Sequence, residues 1–141
     1  IDRTSITTTS EEGKEAIEVY LGEISSSHNT ALAPISSDDI ATAFRAAYAQ
    51  GQSEQLTTIA QKLENNVTIL RSVSVPEEAL TLHETFLAAS EALAANVKLL
   101  QNMQADFIGG LIGAKNIEEL GTIFQDVAGQ ISALETKYDL E

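Results

Sequence analysis

Apolar residues in this chain recur three and four positions apart over several long spans, and nowhere does a run of β-branched residues alternate with polar ones. A repeat near 3.6 places such residues on one face of a helix, whereas a half-buried strand needs a repeat of two. The pattern predicts an all-α fold. Ile17, Tyr20, Leu21 and Ile24 form one stripe, and Ile40, Phe44, Ala47 and Tyr48 form another that Leu56, Ile59, Ala60, Leu63, Val67 and Leu70 take up beyond Gly51. Leu80, His83, Leu87, Ser90, Ala94 and Val97 make a third seam beside Phe86, Leu93 and Leu100. Leu120, Ile123, Phe124, Val127, Ile131, Leu134 and Tyr138 make the fourth.

Capping and breaking residues set the expected boundaries. Ser10 before Glu11 and Glu12 opens a first helix over about 10–26, and SSSHNTALAP, with His28 and Pro34, reads as a loop. Ser37, Asp38 and Asp39 restart the chain over 38–73, as one helix kinked near Gly51 or two joined near Gly51 and Ser53. Glycine in a helix costs ~1 kcal/mol relative to alanine. Pro76 opens a third helix over about 76–108, because the residue before a proline avoids helical dihedrals while proline itself suits the first turn. FIGGLIGAK, with three of the eight glycines, reads as a connection, and Asn116 with Glu119 as the capping pair of a fourth helix over 117–138. The expected architecture is an antiparallel up-down four-helix bundle over 10–141. A flexible lead-in over 1–9 precedes it, because ITTT has no companion strand in view.

The chain's 141 residues suit one domain, and 21 acidic against 8 basic residues give a formal charge of −13. Such a surface repels phosphate, so nucleic acid is not an expected partner. No apolar run approaches the ~20 residues of a membrane span. Without cysteine there is no disulfide, no thiolate metal site and no cysteine nucleophile. Acidic pairs at Glu11–Glu12, Asp38–Asp39, Glu77–Glu78 and Glu118–Glu119 each fall in an expected first turn, where negative charge meets the positive end of the helix dipole. With alternating helices, Glu11, Glu12, Glu77 and Glu78 converge at one end and Asp38, Asp39, Glu118 and Glu119 at the other.

Carboxylate clusters suit divalent cations, yet no loop has the acidic spacing and central glycine of a calcium hand. His83 and Glu84 begin an HExxH pattern whose second histidine is replaced by Leu87. Paired Glu-x-x-His units fail as well, since Leu80 and Ser25 stand three before His83 and His28. His83, Glu84, Glu77 and Glu78 are the metal candidates that remain. His83 itself is expected as a partly buried packing residue with one hydrogen bond. Gly110 to Lys115 lacks the spacing of a phosphate loop, and no nucleophile elbow is present. The aromatics Phe44, Tyr48, Phe86, Phe107, Phe124 and Tyr138 are expected in the core, and the alanines at 88, 89 and 92, 94, 95 leave a smooth flank suited to self-association.

The stretch VPEEALTLHETFLAASEALAANVKLLQNM, from Val75 to Met103, resembles a pattern in exported helical proteins of candidate-phyla bacteria, in which a proline opens a helix carrying a Leu-His pair and later leucines. The resemblance covers about a fifth of the chain and implies an extracytoplasmic helical domain, with no reaction to carry over. A start at Ile1 rather than Met is what a processed product would show. The expected function is a non-catalytic extracytoplasmic interaction or structural module with an acidic surface, binding a protein partner or itself and needing no cofactor. The alternative is a small-ligand- or metal-binding bundle with its site near His83.

Overall fold

The computed structural model describes residues 6–31 and 36–140, and the side chains of 27–31 and 37 lie outside that description. Residues 1–5 of the expected lead-in, Pro34 and the His28 side chain are therefore outside the described residues. The helices are α1 (Lys14–Ala31), α2 (Ser37–Gln50), α3 (Glu54–Ser72), α4 (Leu80–Gln101) and α5 (Phe107–Tyr138). Among the described residues the fold is all-helical apart from one pair of two-residue strands, β1 (Thr8–Thr9) and β2 (Val75–Pro76). No described helix is long and apolar enough to cross a membrane.

The strand pair corrects the expectation that residues up to Thr9 hang free. Thr8 and Thr9 lie parallel to Val75 and Pro76, the Val75 N–H donates to the Thr7 carbonyl at 2.8 Å, and Ile6 is buried. Such a pairing joins Thr8 to Val75, far apart in the chain, and leaves no local periodicity to read. Helix α1 then starts after Gly13, whose φ of 89° swings the backbone into the first turn, rather than at Ser10. It also runs on to Ala31. Serine, asparagine and threonine cost only ~0.5 kcal/mol each in a helix, and nothing before Pro34 forbids continuation.

Ser36, not Ser37, caps α2 in a reciprocal box. Its hydroxyl accepts from the Asp39 N–H at 3.2 Å while its own N–H donates to the Asp39 carboxylate at 2.7 Å. Gly51 ends α2 in the left-handed region, so 38–73 is two helices. Ala43 and Ala47 share a core cluster with Leu56, Ile59 and Leu63, which a continuous helix would hold ~14–30 Å apart along its axis. The chain turns at Gly51 instead of bending.

The other correction lies at FIGGLIGAK. Asp106 accepts from the Gly109 N–H at 2.9 Å and starts α5 there, so this stretch is helix and the break falls at 102–106. Asn116 and Glu119 sit inside α5 and cap nothing. Asn116 instead donates to the Asn96 side chain of α4 at 2.9 Å. The glycines are explained by closeness. A Cβ on Gly113 would lie 2.8 Å from the Asn96 carbonyl oxygen, and one on Gly110 2.8 Å from the Met103 Cβ.

Two apolar clusters make up the core. In one, Ile17, Tyr20 and Ile24 of α1 meet Leu70, Leu87 and Val127. In the other, α2 and α3 close on Ala94, Val97 and Leu100 of α4, with Ile117 of α5 at its edge. Among the described residues, α3, α4 and α5 serve both.

Candidate functional site

His83 is wholly buried and better satisfied than expected. Its Nε2 lies 3.0 Å from the Leu70 carbonyl, which can only accept, so Nε2 carries the proton and donates. Nδ1 is then the acceptor for the Tyr20 hydroxyl at 3.2 Å. One neutral tautomer thus ties α1, the last turn of α3 and α4 together. Burial holds the ring's pKa below its ordinary value and pushes that of the Tyr20 phenol up, so both groups stay uncharged. Neither ring nitrogen has a lone pair to offer a metal.

The remaining metal candidates lie apart from it. Glu84 faces a shallow groove beside Ala88, Leu120 and Ile123. Glu77 and Glu78 occupy the short 3₁₀ turn before α4 and, with Glu11, Glu12 and Tyr138, line a pocket of ≈550 Å³, the convergence expected at that end. Glu78 is committed within the protein, paired with Lys137 and accepting from the Tyr138 hydroxyl at 2.5 Å. The Lys137 bond, then the Tyr138 bond, hold its carboxyl below the usual carboxylate range. Among the described residues no three histidine or acidic side chains are placed to hold a metal ion. The second expected convergence does not form as drawn, because Glu118 and Glu119 lie inside α5 rather than at its start.

The feature that stands out chemically is an exposed apolar face at the opposite end. On the first two turns of α5, Gly110 turns inward against Met103 and Gly113 against α4, and this leaves Phe107, Ile108, Leu111 and Ile112 outward. Ile108 is 70% exposed and Phe107 49%. Tyr48 of α2, 57% exposed, extends the face, its ring 6.0 Å from that of Phe107 and 6.4 Å from that of Phe44. Leu99, beside Gly113, borders it on α4. Tyr48 and Phe107 were expected in the core, and the structure places them outside it. Phe86 is buried as expected, and Phe44, Phe124 and Tyr138 are partly so.

The alanine flank is partly covered, with Ala88 and Ala92 half-buried beside the groove at Glu84 and Ala95 exposed. Ala89 and Ala94 are buried within the packing of α4 against its neighbours. What hid the real face is that its residues were read as a connection. The signal was present in the sequence: eight consecutive residues, Phe107 to Ala114, without a charge.

No family model, no curated protein and no solved structure matches the chain.

Proposed function

We propose that this protein is a non-catalytic helical interaction module whose apolar face at the start of α5 joins two copies of the chain. The observation that carries this is the cluster of Tyr48, Phe107, Ile108, Leu111 and Ile112 in the open on so strongly charged a molecule. Soluble monomers rarely show contiguous apolar patches beyond ~300–600 Å², and larger ones mark contact sites. Charge favours a second copy here in spite of the net −13. Across 98–115 the only charged residues are Lys98, Asp106 and Lys115, so this stretch brings two ammonium groups and one carboxylate per copy to the contact. The acidic remainder stays in water, where it opposes unspecific clumping and contact with anionic bilayers.

The same reading takes α1, α3, α4 and α5 as an antiparallel up-down four-helix bundle. Supporting it, the Lys14 ammonium donates to the Asp139 carbonyl at 3.0 Å and Lys137 pairs with Glu78, which brings the starts of α1 and α4 to the end of α5. Gln101 at the end of α4 donates to Thr57 at the start of α3 at 2.8 Å. Placement outside the cytoplasm belongs to the proposal and rests on the resemblance of Val75–Met103.

Sedimentation velocity tests the reading. The chain is expected to sediment as a concentration-dependent monomer–dimer mixture between micromolar and sub-millimolar, with association strengthened by salt as repulsion is screened. Ile108→Glu combined with Leu111→Glu is expected to leave a folded monomer, because both side chains are exposed. A wild-type chain that stays monomeric throughout overturns it.

A further inference from the structure

The ring of His83 makes two buried hydrogen bonds that respond to an added proton in opposite ways. At Nε2 it already donates to the Leu70 carbonyl at 3.0 Å, and an imidazolium donates there too. The tie between α4 and the last turn of α3 therefore survives protonation. At Nδ1 the lone pair that accepts from the Tyr20 hydroxyl at 3.2 Å is the one that takes the proton. The hydroxyl can then only accept from the ring, and its own hydrogen loses its acceptor. Because Tyr20 is 1% exposed, water does not stand in, and a buried donor left without a partner is disfavoured. Acid thus strikes the α1 side of the fastening and spares the α3 side.

Among the described residues no carboxylate is placed to neutralise the new charge, and burial, then the Leu70 bond in the opposite sense, are what act on the ring. On α1, Lys14 donates to the Asp139 carbonyl, and Glu15, Glu18 and Glu23 are exposed. On α3, Lys62 is itself a cation, Glu64 is paired with Lys98, and Arg71 with Glu91 of α4. Glu84 lines the groove beside Leu120 and Ile123, and Glu78, just ahead of α4, is held by Lys137. On α5, Asp126 is exposed and accepts from Gln130. A charge buried without a counter-charge is disfavoured, so the contact that encloses it has to give. The α3–α4 pair is held further by Arg71–Glu91, by Lys98–Glu64 and by the bond from Gln101 to Thr57. Helix α1 leans on the exposed Lys14 bond and the apolar stripe of Ile17, Leu21 and Ile24. It is the element that yields.

We infer that His83 is an acid-sensitive latch, which on acidification loosens α1 from the α3–α4 pair while leaving that pair joined. The latch lies apart from the apolar face at the start of α5 and works whether or not two copies join there. Hydrogen–deuterium exchange of the full chain, read by mass spectrometry at pH 7 and pH 5 and corrected for the intrinsic rate at each, tests it. Amides of 17–26 are expected to lose about tenfold in protection at pH 5, and those of 63–72 and 83–97 less than about threefold. His83→Gln, whose amide can donate to the Leu70 carbonyl and accept from the Tyr20 hydroxyl but takes up no proton in this range, is expected to abolish that difference between helices. His28→Gln, at a position whose side chain lies outside the described residues, is expected to keep it. Should His83→Gln fail to fold, Tyr20→Phe makes the same test, its α1 already less protected at pH 7 and falling less than about threefold further at pH 5. Equal loss in α1, α3 and α4, no loss in α1, a loss that persists in His83→Gln or vanishes in His28→Gln, or a full fall retained in Tyr20→Phe each overturns the latch.

Discussion

At the scale of single residues, His83 shows how a group suggestive of chemistry can be structural. Its two partners belong to two other helices, so the ring is a three-way fastening rather than a ligand. His83→Ala removes buried packing and leaves the Tyr20 hydroxyl and the Leu70 carbonyl short of a partner. The expected loss is ~3 kcal/mol, measured by denaturant unfolding. The ring also sets a pH dependence. Because burial holds its folded-state pKa below 6.5, the unfolded chain takes up the proton first as pH falls. The stability it contributes is full above pH 6.5 and declines below that, towards the lower folded-state value. Between about pH 6.5 and 5 the wild type is expected to lose stability that a His83→Gln variant does not, the difference isolating this ring from carboxylates that titrate lower. Histidine at a seam position was legible from spacing. Its second partner was not, because Leu70 offers a backbone carbonyl and carries no side-chain sign of it.

At the scale of elements, most of the helical stripes were legible because burial enforces them. Ile17, Tyr20, Leu21 and Ile24 are all buried, and so are Leu56, Ile59, Leu63 and Leu70. The start of α5 was not, because glycine's poor intrinsic propensity argued against a helix while the packing that demands glycine came from α4. Gly113→Ala is therefore expected to destabilise by ~1–3 kcal/mol, since the Asn96 carbonyl in its way is backbone and cannot give. Gly129→Ala is expected to stabilise by ~0.5–1 kcal/mol through helix propensity alone. Thermal unfolding of the two variants distinguishes propensity from close approach by the sign of the shift. The exposed face escaped notice for the same reason: once Phe107 to Ala114 counts as a turn, its four large apolar side chains have no face to share.

For the molecule as a whole, Ile6 to Thr9, before α1, belong to the fold. Removing residues 1–9 uncovers Val75, takes away its bond to Thr7 and forfeits the burial of Ile6, and the expected cost is ~2–4 kcal/mol in denaturant unfolding. Strand pairing between positions so far apart in sequence is set by the assembled helices and not by local residues, which is why a short threonine run read as a free end. The unbroken length of α5 has a last consequence. One rod of 32 residues carries the outward-facing apolar side chains at its start and, at its finish, Lys137 and Tyr138, which hold Glu78, so the exposed end and the base of α4 are parts of one body.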